Sequence, residues 1–145
     1  MLNNHYKNIA AFVHLSSFSR FLIPLGNFLG PLILWLLNKD KSEFIDQHGK
    51  QAVNFQLSML LYTIVIGTIS IPFFFINLFH GFDFNEFHHF SFSTNKAFPL
   101  MFIGGGLGII AVVGFLFEFV LVIMASLKAK DGMSFKYPLT INFIK

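Results

Sequence analysis

The sequence predicts an all-α integral membrane protein, with two full transmembrane helices and an N-terminal broken helix or helical hairpin. Three observations predict it. Charged residues make up 12% of the 145 positions and hydrophobic residues 54%, whereas soluble domains carry about 25% charged residues. Two stretches, AVNFQLSMLLYTIVIGTISIPFFFINLF (52–79) and PLMFIGGGLGIIAVVGFLFEFVLVIMASL (99–127), exceed the ~20 residues needed to cross a bilayer. A third apolar run, 9–37, is interrupted by Pro24, Gly26, Gly30 and Pro31. Lipid tolerates only helices and closed barrels, and neither long stretch shows the alternation of a barrel strand. The length admits one domain, so residues 1–145 are read as a single membrane domain.

The N-terminus, MLNNHYKNIAAFVHLSSFSR, has one lysine followed by an apolar run that His14, Ser16, Ser17 and Arg20 interrupt. No small-residue cleavage signal follows, so it is expected to be retained. As one helix, 9–37 would measure roughly 44 Å, too long for a bilayer core of ~30 Å, and it is too short for two full spans. Two partial helices joined at Pro24-Leu25-Gly26-Asn27 fit better. Proline disfavours the helical state of the preceding residue, and Gly-Asn suits a tight turn. Pro24, Gly26, Asn27, Gly30 and Pro31 are the expected turn residues.

Residues 40–50 are expected to form a cytoplasmic helix, capped by Ser42 or Asp40, that runs into the 52–79 span. Pro72 is expected to kink that span. Gln47, Gln51, Asn54, Ser58 and Tyr62 recur at spacings of four or three and form one polar stripe. Such a stripe serves helix packing in a bundle or, less simply, a path for a solute. Residues 80–98 are read as an external loop and 128–145 as a cytoplasmic tail. The 38–50 segment and the tail carry seven lysines, against Lys96 alone in the loop. The positive-inside rule therefore places the C-terminus in the cytoplasm.

Charge also tests the hairpin. With Lys7 cytoplasmic, Arg20 lies 13 residues in, roughly 20 Å along a helix. Glu118 lies 10 residues from Lys128, roughly 15 Å from the same side. Ionisable residues inside a membrane are costly unless paired. A matched Arg20–Glu118 pair therefore favours the hairpin over one tilted, broken span.

Few patterns point to chemistry. GLGIIA, Gly106–Ala111, matches a dinucleotide pattern but lies inside a span, without the strand and solvent-exposed helix start that chemistry needs. Gly104, Gly108, Ala111 and Gly114 instead form a small-residue face for close helix packing. Glu86-x-x-His89 is half of a carboxylate-bridged metal motif without its second copy. His80, Asp83, His88 and His89 lie nearby, but the loop's interleaved phenylalanines suit an interfacial segment, and no metal site is expected. His14, Ser17 and Arg20 fan over one helix side, yet no nucleophile motif occurs. Cysteine is absent, which excludes disulfides and thiolate metal sites. The net charge of +3 builds no basic patch for nucleic acid. The chain is expected to be no enzyme, to need no cofactor, and to bind no nucleic acid.

Three stretches carry a resemblance: IPLGNFLGPLILWLLNKDKSEFIDQHGKQAVNFQ, IMASLKAKDG and FKYPLTINFIK. They resemble the small bacterial membrane proteins of unknown function related to the Tic-twenty subunit of chloroplast inner-envelope protein import. The resemblance implies a multi-pass protein of the bacterial inner membrane and, by the chloroplast relatives, a translocon-like role. It carries over structural positions only: the five turn residues, His48, Gly49, Asn54 and Phe55 at the start of the span, and Tyr137 and Pro138 in the tail. Pro138 keeps YPLTINFIK out of helix, and the tail is expected to tether through Phe143 and Ile144. The expected function is a non-enzymatic subunit that sits in the lipid bilayer and assembles with itself or with partner membrane proteins. The alternative is a small oligomeric channel or transporter whose path is lined by Arg20, Asn54, Ser58 and Glu118.

Overall fold

A computed structural model describes residues 3–81 and 94–145. Every regular element among these is helical: α1 (Asn4–Leu15), α2 (Gly26–Asn38), α3 (Glu43–Gly81) and α4 (Thr94–Lys130), with 3-10 turns at Ser16–Phe21 and Lys39–Lys41. The chain divides into two compact units, Met1–Leu61 with Phe117–Lys145, and Tyr62–Leu116.

The first unit contains the N-terminal hairpin. Asn3 caps α1 by accepting a hydrogen bond from His5 N at 3.0 Å, and α1 tightens into the 3-10 turn before the chain reverses. The reversal differs from the Gly-Asn turn expected from sequence. The left-handed backbone conformation falls on Leu25, with φ of 59°, while Gly26 and Asn27 already belong to α2. Gly26 serves close approach instead. A Cβ there would stand 2.3 Å from the carbonyl oxygen of Ser19, and one at Gly30 would stand 2.3 Å from that of Ser16. The contacts pair 26 with 19 and 30 with 16, so α2 runs antiparallel to the segment before it. Ser19 Oγ staples the joint, lying 2.7 Å from the Ser16 carbonyl oxygen and 2.6 Å from that of Gly26. Pro31 is buried inside α2 rather than in the turn.

Ser42 caps α3, accepting from Phe44 N at 3.2 Å. The helix then continues without interruption through Pro72. Trp35 of α2 lies across Gly49 of α3, where a Cβ would meet the indole at 2.1 Å. Its Nε1 donates to Asp46 Oδ1 at 2.8 Å. This is the usual solution for a buried indole, whose N–H needs a partner. Asn27 Nδ2 donates to Gln56 Oε1 at 2.9 Å. The two bonds fix α2 antiparallel to the first half of α3. Small residues bring α4 in: Ala10 and Ala11 of α1 pack on Ala129, with Phe44 against them. Further along, Phe55, Leu121, Ala125 and Tyr137 form a second apolar cluster.

Among the described residues, the second unit is helix alone, the later part of α3 and the earlier part of α4. Its described side chains are mainly apolar and exposed, among them Ile64, Ile66, Ile69, Ile109, Val112 and Val113. Both α3 and α4 contain stretches long and apolar enough to cross a membrane, Glu43–Ile76 and Gly104–Lys130. The most apolar window of the first has no buried residue, and that of the second has 17%. The described residues therefore leave these surfaces uncovered. A Cβ added at Gly104, Gly108 or Gly114 meets nothing within 4 Å, so the expected small-residue face is open within the described chain.

Glycines at close contacts and glycines on open faces respond differently to a methyl group. Gly30→Ala is expected to destabilise the fold by about 1–3 kcal/mol through overpacking. Gly108→Ala should be neutral or stabilising by up to about 1 kcal/mol through lower backbone entropy. Thermal unfolding of the two variants in the same detergent checks this ordering.

Candidate functional site

Polar side chains that a water-soluble protein would expose are here turned on one another inside the first unit. Arg20, at the end of the 3-10 turn, pairs with Glu118 of α4 through Nη2 and Oε1. The side chains are 24% and 9% exposed. Phe18 packs on Phe119 beside the pair, ring centroids 5.0 Å apart. The packing of Ala10 and Ala11 on Ala129 aligns α1 with α4 and brings Arg20, just before the reversal, to the level of Glu118.

The second group is a chain of rings. Tyr137 Oη lies 2.9 Å from His14 Nδ1, and His14 Nε2 lies 2.8 Å from His48 Nδ1. His14 is fully buried, and Tyr137 and His48 are buried to within 2%. Phe55 stacks on Tyr137 at 4.2 Å and Phe44 leans on His48 at 4.4 Å. Burial pushes the Tyr137 phenol well above its ordinary pKa, and the nearby Glu118 charge adds to the shift. The phenol therefore stays protonated. His14 is the hydroxyl's only hydrogen-bond partner among the described residues, and a buried donor left unmade is costly. The phenol O–H thus donates to His14 Nδ1, His14 Nε2–H donates to His48 Nδ1, and the last proton rests on His48 Nε2. The histidine tautomers follow from this bonding order.

The third group answers the polar stripe. Asn54 receives the tail like a strand partner: its Nδ2 donates to the Ile144 carbonyl and its Oδ1 accepts from Ile144 N, both at 2.9 Å. Ser58 Oγ donates to its own helix at Asn54 O, 2.7 Å, and accepts from Ile141 N at 2.8 Å. The stripe thus binds backbone of the extended tail. The tail's tether runs through Ile141, Ile144 and Tyr137, while Phe143 is 49% exposed. Gln51 presents a buried Oε1 without a partner, Gln47 bonds Glu43 within the helix at 3.1 Å, and Tyr62 lies in the second unit.

The His14–Ser17–Arg20 arrangement does not assemble. Ser17 Oγ is buried without a hydrogen-bond partner, His14 faces His48 and Tyr137, and Arg20 faces Glu118. Among the described residues, no three His, Asp or Glu side chains gather as metal ligands. Asp83, Glu86, His88 and His89 lie outside the described residues. The ring chain escaped sequence reading because its members stand 34 and 123 positions apart. No local spacing announces such a contact.

Residues 5–144 match the model of the MamF/MmsF magnetosome magnetite crystal formation protein family. The chain belongs to that family. No curated protein and no solved structure matches it. The match corrects the resemblance to Tic-twenty relatives, and the translocon-like role implied by that resemblance falls with it. The structure explains why the motifs misled. Gly26, Gly30 and Gly49 answer to backbone and indole contacts, and Asn54 and Tyr137 hold the tail. Such residues encode how a hairpin and a tail pack, and packing does not specify what a membrane protein does. In this member of the MamF/MmsF family, the buried polar groups are bonded chiefly to each other.

Removing one partner of the ion pair should cost more than removing both. Glu118→Leu is expected to destabilise the fold by up to about 3 kcal/mol, less than for a fully buried pair because Arg20 reaches the surface. Adding Arg20→Leu should recover part of the loss in a double-mutant cycle. For the tail, Asn54→Ala should cost about 1–3 kcal/mol and speed proteolysis after Lys136.

Proposed function

We propose that this chain is a non-enzymatic, multi-pass membrane subunit that serves magnetite crystal formation by assembling with itself or with partner membrane proteins. The observation that carries this reading is the uncovered apolar surface of α3 and α4 in a member of a magnetosome family. Apolar surface on that scale needs lipid or protein against it. The open face of Gly104, Gly108, Ala111 and Gly114 suits a neighbouring helix, because small residues let backbones approach.

A non-enzymatic role is supported by how the polar groups are used. Arg20 and Glu118 neutralise one another, and His14 is engaged at both ring nitrogens. The same pairing favours a structural role for Arg20 and Glu118 over one in a solute path. The lysines of 38–50 and of the tail support a cytoplasmic C-terminus, with the N-terminal hairpin entering and leaving by that face of the inner membrane.

Two measurements test the proposal. In a magnetite-forming cell, loss of this chain should change crystal size or number in electron micrographs. The Gly108→Leu variant should reach the membrane fraction yet fail to restore the crystals. Crystals unchanged by the loss would sink the reading. With no native cysteine, Asn4→Cys and Lys130→Cys should both resist an impermeant thiol reagent on intact cells.

A further inference from the structure

We propose that the cavity between the start of α3 and the C-terminal tail binds a phosphate-bearing anion. The cavity has a volume of about 520 Å³, within the range of small-ligand sites. Lys50, Lys136 and Lys145 line it together with His48 and Gln51, and no acidic side chain does. Lys50 is held by Asp46 at 2.6 Å. Lys136 and Lys145 make no ion pair among the described residues, so the wall carries uncommitted positive charge.

One buried polar atom adds an independent indication. His48 is 1% exposed and its Nε2 has no hydrogen bond; the Met133 backbone comes near it without a bond of ordinary geometry. The bonding order from Tyr137 through His14 leaves a proton on that nitrogen, so His48 offers a donor. Buried polar groups without partners are rare in folded proteins and call for an explanation. Ammonium groups and a ring N–H converging from different chain segments suit a tetrahedral oxyanion, which accepts on several sides. They repel a metal cation.

Phosphate can come from a lipid headgroup or from solution. The cavity sits at the start of α3, where the membrane reading puts the cytoplasmic interface, and basic pockets there bind anionic headgroups. Only the lipid source rests on that reading.

The full-length protein separates the sources. Its thermal midpoint is followed with inorganic phosphate in detergent, and its retained lipid by native mass spectrometry from nanodiscs of phosphatidylcholine with or without phosphatidylglycerol. Lys136→Ala with Lys145→Ala removes exposed side chains and should leave the unliganded midpoint unchanged. Retention of phosphatidylglycerol, reduced tenfold or more in the variant, supports a headgroup site. A rise in midpoint with inorganic phosphate, absent in the variant, supports a soluble phosphate. If neither probe binds, or both bind the variant as they bind the parent, the proposal is overturned. A chain that proved soluble without detergent would fail the membrane reading but leave the phosphate arm intact.

Discussion

His14 is where three distant pieces of the chain meet. Its two ring nitrogens engage Tyr137 of the tail and His48 of α3, and its own helix packs through Ala10 and Ala11 on Ala129 of α4. A buried imidazole can be satisfied only if both partners arrive at hydrogen-bond distance, since an unmade buried bond costs about 1–3 kcal/mol. The hairpin, the start of α3 and the tail are therefore fixed together. The ion pair of Arg20 and Glu118 lies further along the same helices, and it depends on the same alignment of α1 against α4.

This arrangement departs from the design of a soluble domain. There, apolar side chains gather inside and polar ones face water. Here the described interior of the first unit holds His14, His48, Asn54, Gln56, Ser58 and Glu118 among its apolar residues, while isoleucine, valine and phenylalanine cover the outside of the long helices. Burying polar groups is tolerable only when they are bonded, and most of these are. Backbone contacts complete the set: Asn54 and Ser58 hold the tail by main-chain groups, so the tail needs no helix of its own. The chain that carries this polar interior belongs to a magnetosome magnetite crystal formation family.

Much of this was legible without coordinates. Apolar stretches of 28 and 29 residues with few charges dictate helix, because backbone groups in lipid must be satisfied within the segment. The opposite signs and matched depths of Arg20 and Glu118 pointed to each other for the same reason. The cap of α3 was readable as Ser42 or Asp40 because the signal is local, and Ser42 fills it. The turn was misread in detail: Gly26 looked like the residue that takes the left-handed conformation, yet Leu25 takes it. Two demands competed for one glycine, and the close approach to Ser19 won. The family resemblance misled because turn glycines and tail contacts report packing.

Sequence alone thus determined the helical class, the two apolar stretches and the lysine asymmetry, and it pointed the one arginine toward Glu118. These follow from solvent and charge, which act on each segment wherever it lies. Only the tertiary structure decided that the polar stripe receives a tail, that Tyr137, His14 and His48 form one chain of hydrogen bonds, and that lysines from two segments face one cavity. Those contacts join residues up to 123 positions apart. Their geometry exists only after the hairpin has closed and the tail has folded back.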